Sequence, residues 1–223
     1  MENIKNNRDL ILSKINDIHK ASFFSKHNLP KLVAVSKKQD DYKIDLSLAC
    51  GQRIFGENRV QETIDRWTNR IEIYKDLELR LIGPLQTNKV QQSLNLFHII
   101  ETIDREKLAK EIAKNFNVKS KTKTFYIQVN TGNEPQKSGI DPSQVDEFIK
   151  YCIEDLKLPI IGLMCIPPKF EEPSMHFLLL QKIAIRNNLS ELSMGMSNDY
   201  EDAIKFGATS VRIGSLLFGE RKY

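Results

Sequence analysis

The chain has 223 residues, of which 40% are hydrophobic and 28% are charged, and its formal net charge is +4. This composition is typical of a folded globular protein and excludes disordered and collagen-like classes. No apolar run reaches the roughly 20 residues that a membrane-spanning helix needs, and so mild a positive charge does not indicate nucleic acid, since a phosphate-bearing small ligand fits it equally well.

The N-terminal segment predicts an amphipathic helix. Ile11, Ile15 and Ile18 recur at spacings of four and three, which places them on one helical face. The segment also lacks the order of a basic stretch followed by an apolar stretch that marks a secretory signal. We therefore expect this helix to pack against the rest of the fold.

The cysteines and histidines bear on location and metal binding. The three cysteines are far apart and form no CxxC pair, so we expect a reducing, cytoplasmic location. The four histidines are scattered without metal-ligand spacing, so we expect no metal site. These residues are Cys50, Cys152, Cys165, His19, His27, His98 and His176.

Short β-rich runs recur along the chain, each followed by a polar or glycine-containing turn. The runs are LVAVS (32–36), RIFG (53–56), LRLIG (79–83), FHIIET (97–102), FYIQVN (125–130), IIGLMCI (160–166), ELSMG (191–195) and SVRIG (210–214). Apolar residues at helical spacing lie between several runs, in segments 60–71, 108–116, 145–153 and 200–207. The stretch after Gln86 predicts only a short helix.

This alternation predicts the fold class. Strands that alternate with helices indicate parallel βαβ units, and eight such units close naturally into a barrel. The alternative is an open doubly wound sheet, which would place a glycine-rich turn after the first strand; here that turn reads SKKQD. We predict an α/β fold, a single (β/α)8 TIM barrel formed as one domain by residues 1–223, with an extra N-terminal helix.

The last two runs end in turns suited to an anion. In SMGMSNDYEDAI a glycine turn leads into a helix that Ser197 or Asn198 can cap, and Asn198 has capping-box spacing to a glutamate. In VRIGS, Gly214 permits close backbone approach and Ser215 offers a hydroxyl. Loops after strands seven and eight frequently build a phosphate site in such barrels. Plain capping explains either turn alone, but the pair favours phosphate.

Lys37 follows the first predicted strand. A lysine at a strand end is usually only solvated, but at a barrel mouth its amine can form a Schiff base with a carbonyl. Burial or a neighbouring cation such as Lys38 would lower its pKa and supply the free amine. A lysine beside a phosphate site points to a phosphate-bearing aldehyde. Pyridoxal 5′-phosphate is one such ligand, and a sugar-phosphate aldolase would use the same two parts.

An ordered set of motifs resembles one family. AVSK, FGENRVQE, IGPLQTNK, KSGI, GLMCIP, LSMGMSNDYEDAI and VRIGSLLFGER, from about Lys31 to Arg221, are similar to motifs of the pyridoxal phosphate homeostasis proteins. The resemblance implies a barrel of the alanine racemase N-terminal-domain type. It also implies pyridoxal 5′-phosphate as the cofactor, bound for storage or delivery inside the cell.

The same resemblance implies roles for individual residues. Lys37 matches the lysine that holds the cofactor as an aldimine, and Arg212 matches the arginine that faces the pyridine nitrogen. Asn58 matches a residue that lines the ring, and Lys137 matches a basic residue near the site. The phosphate-binding positions match Ser197, Gly214 and Ser215, with Gly195 and Met196 shaping the first turn.

One position departs from the family pattern. Many members read SKTKP after the first strand, whereas this chain reads SKKQD. Gln39 therefore occupies the position of a second lysine, and the basic side chain lies at Lys38 instead. The departure bears on cofactor exchange rather than on the bond at Lys37.

The residues also bear on catalysis. Arginine stays cationic and cannot supply a proton to the pyridine nitrogen, so the cofactor is a weaker electron sink than one paired with a carboxylate. Racemisation needs a second acid or base, which related racemases take from a further domain, and we expect none because the sequence ends at Tyr223.

We therefore expect a cofactor-binding protein with no catalytic residue. Its expected partners are the small-molecule cofactor and pyridoxal phosphate-dependent apoenzymes, without nucleic acid or membrane, and its expected state is a monomer. The alternative is a minor pyridoxal phosphate-dependent amino-acid racemase or lyase.

Overall fold

Every predicted β-rich run forms a strand in the computed structural model, which describes residues 2–219. The strands are β1 (Lys31–Val35), β2 (Ile54–Glu57), β3 (Glu78–Leu81), β4 (Ile99–Ile103), β5 (Thr124–Val129), β6 (Ile160–Cys165), β7 (Glu191–Met196) and β8 (Ser210–Ile213). Successive strands pair in parallel, and β8 pairs with β1 to close the barrel. The predicted (β/α)8 barrel is confirmed, and the open-sheet alternative is wrong.

Helices surround the barrel. They are α1 (Glu2–Ala21), α2 (Asp41–Ala49), α3 (Val60–Ile73), α4 (Val90–Leu96), α5 (Glu106–Asn115), α6 (Val145–Lys150), α7 (Pro173–Arg186), α8 (Tyr200–Lys205) and α9 (Ser215–Phe218). The predicted N-terminal helix is α1, and the predicted short helix after Gln86 is α4. The final residues of the VRIGSLLFGER motif, Glu220 and Arg221, lie outside the described residues, as does Tyr223.

The predicted helical periods bury the expected side chains. Trp67 of α3 is fully buried, and its ring lies 4.7 Å from the ring of Phe55 on β2, centroid to centroid. Burying such a side chain contributes about 1.5–3 kcal/mol of hydrophobic free energy. One prediction is wrong, because Ile153 is 37% exposed. It lies in a π-helical stretch, Tyr151–Asp155, whose wider turn breaks the 3.6-residue period assumed for it.

Alternation along β1 separates the interior of the barrel from the helical layer. Leu32 and Ala34 belong to the main core, together with buried side chains of the helices. Val33 and Val35 have the opposite orientation because side chains of a strand alternate between its faces. Lys37 continues that second series, and both Val35 and Lys37 line a cavity at the mouth of the barrel. Strand periodicity thus aims Lys37 inward.

Candidate functional site at the barrel mouth

A cavity of about 600 Å³ opens where the carboxyl ends of the strands meet. A side pocket of about 210 Å³ adjoins it and shares Asn58 and Lys137 with it. Each site residue predicted from the sequence lines the main cavity, and these residues are Lys37, Asn58, Met196, Ser197, Arg212, Gly214 and Ser215. The fold therefore brings together residues from the first, second, seventh and eighth βα units.

Charge in this cavity is predominantly positive. Among the described residues, its lining contains four cationic side chains and two carboxylates. The cationic residues are Lys37, Lys137, Lys169 and Arg212, and the acidic residues are Glu171 and Asp199. Lys137 donates to the Pro167 carbonyl at 3.1 Å and pairs with Glu134 at 2.5 Å. The excess of positive charge favours an anionic ligand.

The turn that carries Lys37 has an unusual backbone. Lys37 is half-buried, whereas Lys38 is exposed and has a φ of 58°. That left-handed conformation costs a non-glycine residue about 1–3 kcal/mol and persists only where neighbouring contacts impose it. Arg66 of α3 supplies such contacts, since its guanidinium donates to the carbonyls of Ser36 at 3.0 Å and Gln39 at 3.1 Å.

A buried carboxylate supports this arrangement from outside the barrel. Glu57 is 1% exposed, and its Oε1 accepts from Ser36 Oγ at 2.7 Å and from Trp67 Nε1 at 2.9 Å. Arg66 Nη1 lies 3.5 Å from the same oxygen. We call Glu57, Arg66 and Trp67 the outer clamp. The sequence shows Glu57 in the GEN motif, but the pattern does not reveal that this residue faces α3 rather than the cavity.

Gln39, the position that departs from the family pattern, faces away from the cavity. Its side chain is buried, and Lys43 of α2 donates weakly to its Oε1 at 3.5 Å. Lys43 also donates to the Phe218 carbonyl at 2.8 Å. Lys43 therefore links the β1 turn to the end of α9.

Two turns expose backbone donors to the cavity. The backbone N–H groups of Ser197 and Asn198, after β7, and of Gly214 and Ser215, after β8, donate to no acceptor within residues 2–219. Successive free N–H groups form a concave site for anions. The predicted pair of turns is therefore present and has the donor chemistry that a phosphate needs.

The predicted capping of α8 is wrong. The N-cap residue is Asp199, not Ser197 or Asn198, and its side chain caps no helical N–H group. Instead, Asp199 Oδ1 accepts from the Met196 N–H at 2.5 Å and so holds the turn. Burial raises the pKa of the Asp199 carboxyl, although the Met196 N–H and the Arg212 charge oppose that shift.

Gly195 is required where this turn begins. Its φ is 90°, and an added Cβ would lie 2.6 Å from the Ala203 Cβ and 2.9 Å from the Tyr200 Cα. A side chain there would push α8 away from β7. The glycine lets α8 pack closely against the end of β7, and this packing places Ser197 and Asn198 at the cavity.

Arg212 forms part of the cavity lining and is almost fully buried. Its Nη1 donates to Ser193 Oγ at 2.8 Å, and its Nη2 donates to the Cys165 carbonyl at 2.7 Å. Arginine has five N–H donors, so these two acceptors leave donors for a ligand.

Behind Arg212, buried polar side chains continue through the interior of the barrel. Ser193 Oγ donates to Glu101 Oε2 at 2.5 Å, and Arg80 Nη1 donates to Glu101 Oε1 at 3.1 Å. We call Ser193, Glu101 and Arg80 the inner chain. Burial opposes the charge of Arg80, but Glu101 and then Glu78 outweigh it and raise the pKa of the guanidinium. The sequence does not predict the inner chain, although a charged residue inside an apolar strand run signals a buried partner.

Residues 2–219 contain no group of histidine, cysteine, aspartate or glutamate side chains able to hold a metal ion. No helix in the same part of the chain combines the length and the apolar character needed to cross a membrane.

Together, fold and cavity define a class of protein: a (β/α)8 barrel that binds a small anionic ligand at the carboxyl ends of its strands. Residues 19–222 match the family described as alanine racemase, N-terminal domain. The pyridoxal phosphate homeostasis protein of Aquifex aeolicus is 40% identical over 207 residues, covering 88% of this chain and 89% of that protein. Its counterpart in Helicobacter pylori is 36% identical over 218 residues, covering 95% and 96%. The chain belongs to the alanine racemase N-terminal domain family and, within it, to the pyridoxal phosphate homeostasis proteins.

Solved structures agree with this assignment. PipY of Synechococcus elongatus, solved without PLP, has a TM-score of 0.79 at 32% identity, covering 92% of this chain and 100% of PipY. The PipY structure with PLP bound has a TM-score of 0.77 at 31% identity, with the same coverage. Alanine racemase of Acinetobacter baumannii has a TM-score of 0.73 at 16% identity, covering 98% of this chain and 61% of that chain, and shares the fold. The predicted barrel type and family are confirmed.

Proposed function

We propose that this protein binds pyridoxal 5′-phosphate in the barrel-mouth cavity and holds it for storage or delivery. The observation that carries the proposal is the convergence of Lys37, Arg212 and the two donor turns on one cavity. Each part suits one functional group of the ligand. The relatives' names and the PLP-bound PipY structure support the same ligand.

The donor set fits the phosphate end. A phosphate presents oxygens that only accept hydrogen bonds, and the turns after β7 and β8 offer N–H groups without an acceptor in the described part of the chain. The Ser197 and Ser215 side chains border the same space. An added Cβ at Gly214 would lie 3.3 Å from the Val35 carbonyl oxygen, so the backbone is closely packed there.

The remaining residues fit the ring and the aldehyde. Lys37 would hold the aldehyde carbon covalently through its Nζ, as a Schiff base. Arg212 would face the ring nitrogen, and Met196 would border the phosphate turn. Asn58 Oδ1 is buried without a hydrogen-bond partner among the described residues, and a ligand lying against it would satisfy this orphaned acceptor.

Holding the cofactor is favoured over converting an amino acid. When bound, the cofactor supplies an electrophilic carbon and a ring that can accept electrons. Arg212 remains cationic and gives the ring nitrogen no proton, so the ring accepts electrons less readily. Storage or delivery therefore fits this site better than racemase or lyase turnover, and the names of the curated relatives support it.

We propose that the protein works in the cytoplasm as one barrel domain and as a monomer, and passes the cofactor to apoenzymes that depend on it. The separated cysteines support a reducing compartment.

Titration of the purified protein with pyridoxal 5′-phosphate tests the proposal. The wild-type protein should develop a visible absorbance band that saturates, and the Lys38→Ala variant should behave in the same way because Lys38 is exposed. Lys37→Ala should lose the band. The loaded wild-type protein should also restore activity to a pyridoxal phosphate-dependent apoenzyme. A band that persists in Lys37→Ala would contradict the assignment.

A further inference from the structure

We infer that Ser193 and Glu101 are positioning residues that fix Arg212 before a ligand arrives. Neither residue lines the cavity, and both lie behind Arg212 in the interior of the barrel. The identity of the ligand rests on the proposed function. The hydrogen bonds that hold Arg212 join protein groups only, so they do not depend on that identity.

The hydroxyl of Ser193 has a fixed direction. Its oxygen lies 2.8 Å from Arg212 Nη1, which can only donate, and 2.5 Å from Glu101 Oε2, which accepts. The single hydroxyl proton therefore points at Glu101, and a lone pair of the oxygen points at Arg212. A proton turned the other way would meet another donor. Glu101 thus decides the orientation of Ser193, and Ser193 decides the position of Arg212.

Burial restricts the inner chain and Arg212 to one geometry. Glu101 and Ser193 are 0% exposed, and Arg80 and Arg212 are 1% and 4% exposed. Glu101 contacts Arg80 directly and Arg212 through Ser193, and Glu78 also pairs with Arg80 at 2.6 Å, so Glu101 is the carboxylate that the two buried cations share. Leaving either cation without compensation in a low-dielectric interior is costly. The whole set therefore has one favourable arrangement.

The protein contacts of Arg212 determine which of its N–H groups can donate to a ligand. Ser193 holds Nη1, and the Cys165 carbonyl holds Nη2 at 2.7 Å. These two contacts fix the plane of the guanidinium, and the N–H groups that they leave over are available to a ligand. An arginine that is already ordered loses less side-chain entropy when a ligand binds.

Two alanine variants separate this role from general packing. Ser193→Ala removes the hydroxyl that lies between Glu101 and Arg212. Ser210→Ala is the matched control, because Ser210 pairs with Ser193 in the β7–β8 register, is equally buried, and has a hydroxyl without a hydrogen-bond partner within residues 2–219. Both variants delete one buried oxygen at neighbouring positions, and only Ser193→Ala releases Arg212.

The first measurement uses the protein without added cofactor. NMR of the arginine Nη–H groups should show slowly rotating, separately resolved resonances for Arg212 in the wild-type protein and in Ser210→Ala. In Ser193→Ala these resonances should merge through faster rotation of the guanidinium. Unchanged Arg212 resonances in Ser193→Ala would overturn the inference. If Ser193→Ala does not fold, the pair Ser193→Cys and Ser210→Cys decides the question, since a thiol is a weak acceptor of similar size.

The second measurement adds ¹⁵N-labelled pyridoxal 5′-phosphate. Affinity should fall about tenfold in Ser193→Ala, the scale of the free energy needed to order one flexible side chain when a ligand binds. The ring-nitrogen resonance should move in the direction that Arg212→Lys moves it, and Ser210→Ala should change neither quantity. Equal affinity and ring-nitrogen shift in the two alanine variants would also overturn the inference. If the wild-type protein binds no cofactor, the proposed function fails. The cofactor-free spectra still test whether Ser193 holds Arg212.

Discussion

The two cavity residues Lys37 and Arg212 are held in contrasting ways. The outer clamp grips the backbone around Lys37 from the helical layer, through Arg66, whose side chain is 18% exposed. The inner chain grips the side chain of Arg212 from within the barrel, through groups that are almost fully buried. Water can replace part of the first arrangement but none of the second. The inner chain should therefore contribute more to stability, and the outer clamp more to the local order of the Lys37 turn.

Breaking the inner chain should have the largest effect. Arg80→Met keeps a long side chain but leaves Glu101 without its direct cation. Removing one partner of a buried ion pair costs about 3–5 kcal/mol, so we expect a loss of this size in the free energy of unfolding, measured by urea denaturation.

An exposed ion pair provides the control for that measurement. Arg59 pairs with Glu62 at 2.9 Å, and both side chains are exposed. Arg59→Met should leave the unfolding curve unchanged, since such pairs contribute little. Equal losses in Arg80→Met and Arg59→Met would remove the distinction between buried and exposed support.

Breaking the outer clamp should have a smaller and more local effect. Arg66→Ala removes two hydrogen bonds to backbone carbonyls and the 3.5 Å contact with buried Glu57. Glu57 keeps its hydrogen bonds from Ser36 and Trp67, and water can reach the vacated side, so we expect a loss of about 1–2 kcal/mol. Hydrogen exchange of the Gln39 amide, which donates to the Ser36 carbonyl at 3.1 Å, should accelerate. The Arg212 resonances should stay unchanged. Faster exchange throughout the barrel, rather than in this turn, would contradict a local role.

The smallest expected effect concerns Asp199, which borders both donor turns. Because burial raises its pKa in the folded protein, its favourable contribution is complete below its unfolded pKa and is lost as pH rises through the folded value. Asp199→Asn cannot ionise and keeps an oxygen that accepts from the Met196 N–H. The stability of Asp199→Asn relative to wild type should therefore increase from acidic to neutral pH.

Urea denaturation across that pH range measures the difference. The same variant should bind inorganic phosphate more tightly at neutral pH, since a negative charge beside the anion site is gone. A stability difference that shrinks as pH rises would show that the ionised carboxylate is favoured by the fold.

Much of the fold is predictable from the sequence because its signals are local. Buried runs such as IIGLMCI and turns that contain glycine recur with helical periods between them, and that alternation specifies parallel βα units. Strand boundaries move by a residue or two: FHIIET begins at Phe97, directly after α4 ends, and its strand begins at Ile99. Ile153 shows the limit, since a π-helical turn changes a period that the apolar spacing alone does not reveal.

The lining of the site is predictable where it follows strand ends, and its supports are not. Lys37, Ser197 and Gly214 lie at turns that the pattern marks directly. Glu101 and Ser193 meet across the barrel although 92 positions separate them. The residues around either one do not indicate which residue it contacts. The predicted cap of α8 is wrong by one or two residues because serine, asparagine and aspartate are all favourable N-cap residues, and only the backbone selects Asp199.

The bond at Lys37 is tested most directly by borohydride reduction of the protein with pyridoxal 5′-phosphate, followed by peptide mapping. The expected result is a pyridoxyl group on Lys37 alone, in wild-type protein and in Lys38→Ala, and none at that position in Lys37→Ala. A pyridoxyl group on Lys137 or any other lysine in place of Lys37, or no modified peptide at all, would contradict the proposed site.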